Sequence, residues 1–64
     1  MRLDEIKFAV AMVKAEMKMN DLVKASGISR NTLSAAKSGK RIRPETATAI
    51  ANALGVEVTD ILED

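Results

Sequence analysis

Between Ile28 and Pro44 the chain reads ISRNTLSAAKSGKRIRP. This stretch holds Arg30, Lys37, Lys40, Arg41 and Arg43, five of the ten basic residues, and no acid. Its opening, Ser29-Arg30-Asn31-Thr32, places hydroxyl, guanidinium and amide groups side by side. Such groups bond partners in fixed geometries, and cations left unpaired attract polyanions. The rest of the chain does not share the bias. Residues 1–21 balance four bases against four acids, residues 22–44 carry six bases and no acid, and residues 45–64 carry five acids and no base. The net charge of +1 therefore conceals a basic middle and an acidic tail. No comparable set suggests catalysis. Histidine, cysteine and tyrosine are absent, and no pair of carboxylates is placed to act as acid and base. An enzyme is not expected, nor are a metal, a cofactor or a small-molecule substrate.

A polar array of this kind needs rigid support, and the pattern around it is helical. Ile6, Ala9, Val10, Val13 and Met17 recur at the spacing of one helix face, which predicts a first helix over Leu3–Met17 with that stripe in the core, widened by Phe8 and Met12. Met19 to Ser26 forms a second helix, with Leu22 and Val23 inward, and Gly27 ends it in the left-handed conformation. Ile28 plugs the core. Ser29 caps a third helix that runs to about Ser38 with Leu33 and Ala36 inward, and Gly39 stops it. Pro44 suits the first turn of a fourth helix, whose buried stripe is Ala47, Ile50, Ala51 and Leu54 and whose end is Gly55. A final short helix over about Thr59–Leu62 closes the core with Ile61 and Leu62.

The expected architecture is one all-α domain over residues 1–64, with five helices. A chain this short buries only about 60% of its unfolded surface, and without disulfides its stability is expected at about 5 kcal/mol or less. No apolar run approaches the roughly 20 residues that span a bilayer. The acids near the N-terminus do not fit a signal peptide, so a cytoplasmic protein is expected.

Two short helices joined by Gly27-Ile28-Ser29 have helix-turn-helix spacing. Glycine permits the turn, isoleucine anchors it, and serine caps the next helix. On LVKASGISRNTLSAAKSGK, then RP, AIANALGV and ILED, the chain resembles the Cro/C1-type helix-turn-helix family of phage and bacterial repressors. Leu22, Gly27, Ile28, Ser29, Leu33, Gly39, Pro44, Ala51, Leu54 and Gly55 carry the resemblance, which extends over about residues 3–62. It implies a lambda-repressor-like DNA-binding fold and a sequence-specific regulator, a repressor, of double-stranded DNA. An antitoxin or excision accessory of the same fold, or an interaction module without DNA binding, is the alternative.

The resemblance implies roles for residues. The third helix would lie in the major groove and read bases through Ser29, Arg30, Asn31, Thr32 and Ser34. Arg30 matches guanine O6 and N7, and Asn31 matches adenine N6 and N7. Lys18, Lys37, Ser38, Lys40, Arg41 and Arg43 would meet phosphates. Lys18 stands where relatives often have a threonine cap; either Asn20 caps a shortened helix or Lys18 reaches a phosphate. Val56, Val58 and Ile61 are the candidate dimer contacts, for a homodimer on DNA that associates weakly in solution. Three departures accompany the match. Val23 replaces a usual alanine, Ala35 and Ala36 replace longer side chains, and Lys37 with Met12 replaces a glutamate–arginine pair. The family includes both whole proteins and N-terminal domains of longer ones.

Overall fold

The computed structural model describes residues 1–63. Its elements are α1 (Glu5–Lys14), α2 (Met19–Ser26), α3 (Arg30–Lys37), α4 (Pro44–Leu54) and a 3-10 turn at Val58–Asp60. The described residues are thus all-helical apart from an isolated antiparallel bridge between Leu3 and Leu62. Asp64, counted with the acidic tail, lies outside them.

The expected fifth helix is corrected to that single 3-10 turn. Between Gly55 and Ile61 there is room for one turn only, because Ile61 is wholly buried and Leu62 is held extended by the bridge. Such short connectors close with the tighter i to i+3 bond, and Asp60 Oδ2 accepts from the Glu57 N–H at 3.0 Å to cap this one.

α1 is shorter than Leu3–Met17 and is turned the other way. Asp4 is its N-cap, accepting from Lys7 N–H at 2.9 Å. Leu3 is instead extended, and the Asp4 N–H donates to the Ile61 carbonyl at 2.9 Å. The buried side of α1 is Phe8 and Ala11, with Met12 and Ala15 packed beside them. Ile6, Val10 and Val13, expected in the core, are 75%, 45% and 76% exposed. The helix carries two apolar stripes on opposite sides. Burial goes to the one holding Phe8, the only aromatic side chain and one that removes far more area from water than valine. α1 ends through Ala15 and Glu16, and Glu16 takes a left-handed φ of 54°.

The other three helices follow the sequence closely. Leu22 on α2, Leu33 and Ala36 on α3, and Ala47, Ile50 and Ala51 on α4 are buried, and with Phe8 and Ile61 most of them form one core. Gly27 has φ 72° at the end of α2, and its N–H donates to the Val23 carbonyl at 3.0 Å. A Cβ there would force the left-handed region that L-residues avoid. Ser26 ties the same turn from within: its Oγ donates to the Leu22 carbonyl at 2.6 Å and accepts from the Ile28 N–H at 3.1 Å. Val23 is only half-buried at the α2 crossing, so its extra bulk lies at the edge of the core.

Candidate nucleic-acid interface

The direction of α3 is set at its first turn. Ser29 has extended backbone angles, and its Oγ accepts from the Thr32 N–H at 3.2 Å, which satisfies one of the free donors at a helix start. The same hydroxyl donates to Thr32 Oγ1 at 3.0 Å. Leu33 and Ala36 hold the inner side of the helix in the core. Arg30, Asn31, Thr32, Ser34, Lys37 and Ser38 are consequently all exposed.

α3 stands as a ridge between two shallow grooves. On one side Asn31, Thr32 and Ala35 meet Arg41 and Arg43 of the loop and Thr46 of α4. On the other, Arg30, Ser34, Lys37 and Ser38 meet Met19 and Glu5. The structure therefore brings two of the expected base-reading residues, Asn31 and Thr32, into one groove with two of the expected phosphate-binding arginines, while Arg30 and Ser34 line the groove on the other side of α3 and Ser29 lines neither. Among the described residues, the side chains of Arg30, Lys37, Lys40, Arg41 and Arg43 have no hydrogen-bond or ion-pair partner. A row of unpaired cations beside a projecting helix is the electrostatic footprint of a polyanion site.

The loop is held by a segment far away in sequence. The Ile42 N–H donates to the Met1 carbonyl at 2.7 Å, and the Lys40 N–H donates to the Ala35 carbonyl at 3.1 Å. These inward bonds leave the N–H groups of Arg41 and Arg43 without a partner among the described residues, so donors and cations coincide there. Arg2 and Glu63 share a surface depression with Arg41, a cation and an acid that local spacing could not assign to this loop. Glu5, the first residue of α1, is the other member missed, an acid at the rim of the Arg30 groove.

Other expected site residues are placed differently. Lys18 is the N-cap of α2 by backbone position, its own N–H bonded to Asp21 Oδ2 at 2.9 Å. An ammonium cannot accept a bond, so Asp21 supplies the only side-chain half of this cap, and Asn20 lies inside the helix. Ser38 Oγ donates to the Ala35 carbonyl at 2.8 Å, so its proton serves the end of α3. Lys37 shares a small apolar cleft with Phe8, Ala9, Met12 and Met19, so the position that the resemblance gives to an ion pair is lined by carbon. Val56 and Val58 are half-buried. Ile61 is corrected as a dimer contact: it is 0% exposed and can touch no second chain.

No three of the described Asp or Glu residues come together in a way that could hold a metal ion, and none of the described helices is long and apolar enough to cross a membrane. Residues 7–64 match the family described as the Cro/C1-type HTH DNA-binding domain. Among solved structures, PhpD with cadmium complexed with hydroethylphosphonate and native PhpD with cadmium atoms are similar, each with a TM-score of 0.83 and 28% identity. The match covers 100% of this chain and 14% of those chains, so the chain spans about one seventh of their length. No curated protein matches it.

Proposed function

The chain belongs to the Cro/C1-type HTH DNA-binding domain family, and from that membership we propose that it is a sequence-specific transcriptional repressor acting at operator half-sites. α3 enters the major groove. Arg30 and Asn31 read base edges, with Ser29, Thr32 and Ser34 supplementing them. Lys40, Arg41 and Arg43 meet the phosphates, and Lys18, Lys37 and Arg2 extend that contact. No catalytic step belongs to this reading. Two copies bind a pseudo-palindrome, with half-sites one helical turn apart.

The observation that carries the reading is the shared groove of Asn31, Thr32, Arg41 and Arg43. Reading groups and gripping groups converge there although the loop that grips lies beyond the end of α3. Selection of bound sites from random duplex DNA tests it. A motif with two-fold symmetry is the expected result, and recovery of unenriched sequence at every salt concentration would refute sequence-specific binding.

A second reading is favoured by the likeness to PhpD, in which a unit of this shape forms 14% of a longer chain. On that reading the fold is an interaction module. Absence of retention on heparin at moderate salt would select it.

A further inference from the structure

We propose that Glu5 is a positioning residue for Arg30. On DNA its carboxylate takes guanidinium donors that the base edge leaves free, and so keeps Arg30 on bases and off phosphates. The inference rests on the DNA-binding reading above and adds to it a specificity determinant from outside α2 and α3.

Arginine carries five N–H donors, and the O6 and N7 of a guanine edge take two of them. When α3 enters a groove, water around Arg30 is displaced, and a donor left unpaired there is costly. The exposed Arg30 has no partner in the free chain. Its fork also fits a phosphate, so what holds it to a base must lie beside it. Arg30, Ser34, Lys37 and Ser38 share their groove with Met19 and Glu5. Among the described residues, Glu5 is the only acid of that groove. The two serines offer neutral oxygens, and a bond between two charged groups is roughly twice as strong. Lys37 is a point charge that needs no particular direction, whereas the planar fork of Arg30 does.

Glu5 is fixed in place and uncommitted. The start of α1 is anchored by Asp4, whose carboxylate accepts from the Lys7 N–H at 2.9 Å and whose own N–H donates to the Ile61 carbonyl at 2.9 Å. Glu5 is exposed and has no ion-pair partner among the described residues. One turn along its own helix stand Phe8 and Ala9, so the i+3 and i+4 positions offer no cation. An acid in a first turn also suits the helix dipole, but that role bears on stability and not on which base is read. The groove on the other side of α3 holds Arg41 and Arg43 and no acid. The two flanks of α3 are therefore unlike. One attracts phosphate, and the other sets a carboxylate against it beside the arginine that reads.

Titration of the native chain and Glu5→Gln against the selected duplex and a scrambled one, at several salt concentrations, tests this. The substitution keeps the size of the side chain and an acceptor oxygen and removes the charge. Glu5→Gln should bind scrambled DNA more tightly, with a slope of log K against log salt steeper by about 1 as Arg30 turns to phosphate. Its preference for the selected duplex should fall about three- to tenfold. In an Arg30→Ala background the same substitution should leave the preference where Arg30→Ala alone puts it. A general loss of folding, or repulsion of DNA by the charge alone, would change binding to both duplexes and leave their ratio as it was. An unchanged preference in Glu5→Gln, an equal fall with and without Arg30, or coupling to Lys37→Ala in place of Arg30→Ala would overturn the proposal. No preference in the native chain would remove the DNA-reading function and this inference together; a native preference that Glu5→Gln leaves intact would remove this inference alone.

Discussion

Arg30 and Arg43 carry the same charge, are both exposed and have no partner among the described residues, yet their positions assign them different work. Arg30 opens α3, where a planar fork meets one base edge and mismatches the others. Arg30→Ala should lose about 1–3 kcal/mol on the selected site and much less on scrambled duplex, so that specificity relaxes. Arg43 lies in the loop, against phosphates that are the same at every base pair. Arg43→Ala should weaken both duplexes alike and reduce the slope of log K against log salt by about 1. Titration of both variants against both duplexes at several salt concentrations separates the two. Equal losses for Arg30→Ala on selected and scrambled DNA would remove base reading from that side chain.

At the scale of elements, the turn before α3 and the end of α1 show two ways to stop a helix. Gly27 stops α2 at φ 72° without strain. Glu16 takes φ 54° after α1, and a left-handed non-glycine residue costs about 1 kcal/mol or more. Glu16 is exposed, so its side chain has little packing to lose. Glu16→Gly should therefore stabilise the chain by about 1 kcal/mol, a rise in Tm of about 4–8 °C. A melting temperature unchanged or lowered in calorimetry would show that the glutamate is not strained there.

At the scale of the molecule, stability rests on one small core. Leu33 is wholly buried in it and sits on the helix that carries Arg30 and Asn31. Leu33→Ala should cost about 2–5 kcal/mol, much of what a chain this size has to lose, and should abolish DNA binding by unfolding. A thermal melt within a few degrees of the native chain would contradict that core. On DNA, footprinting at saturation should show two protected half-sites centred about 34–36 Å apart; protection of a single half-site would argue against a bound pair.

Much of this was determined by the sequence alone, where the signals are local. Ser29, Gly27, Pro44 and Gly55 act through their own backbone angles and hydrogen bonds, so α2 to α4 could be read within a residue or two. The buried stripes of α3 and α4 were equally legible, because each helix has one apolar side. Tertiary structure decided what local pattern left degenerate. α1 has two apolar stripes of the same period, and only packing around Phe8 chose between them, which turned Ile6, Val10 and Val13 outward. The fifth helix shrank to one turn because the chain around Leu62 pairs with the N-terminus, the Asp4 N–H bonding the Ile61 carbonyl and the Glu63 N–H the Arg2 carbonyl. For the same reason Arg2 and Glu5 reached the candidate site and Ile61 left the surface. Contacts between residues distant in sequence depend on how the whole chain closes, and no window of neighbouring residues contains them.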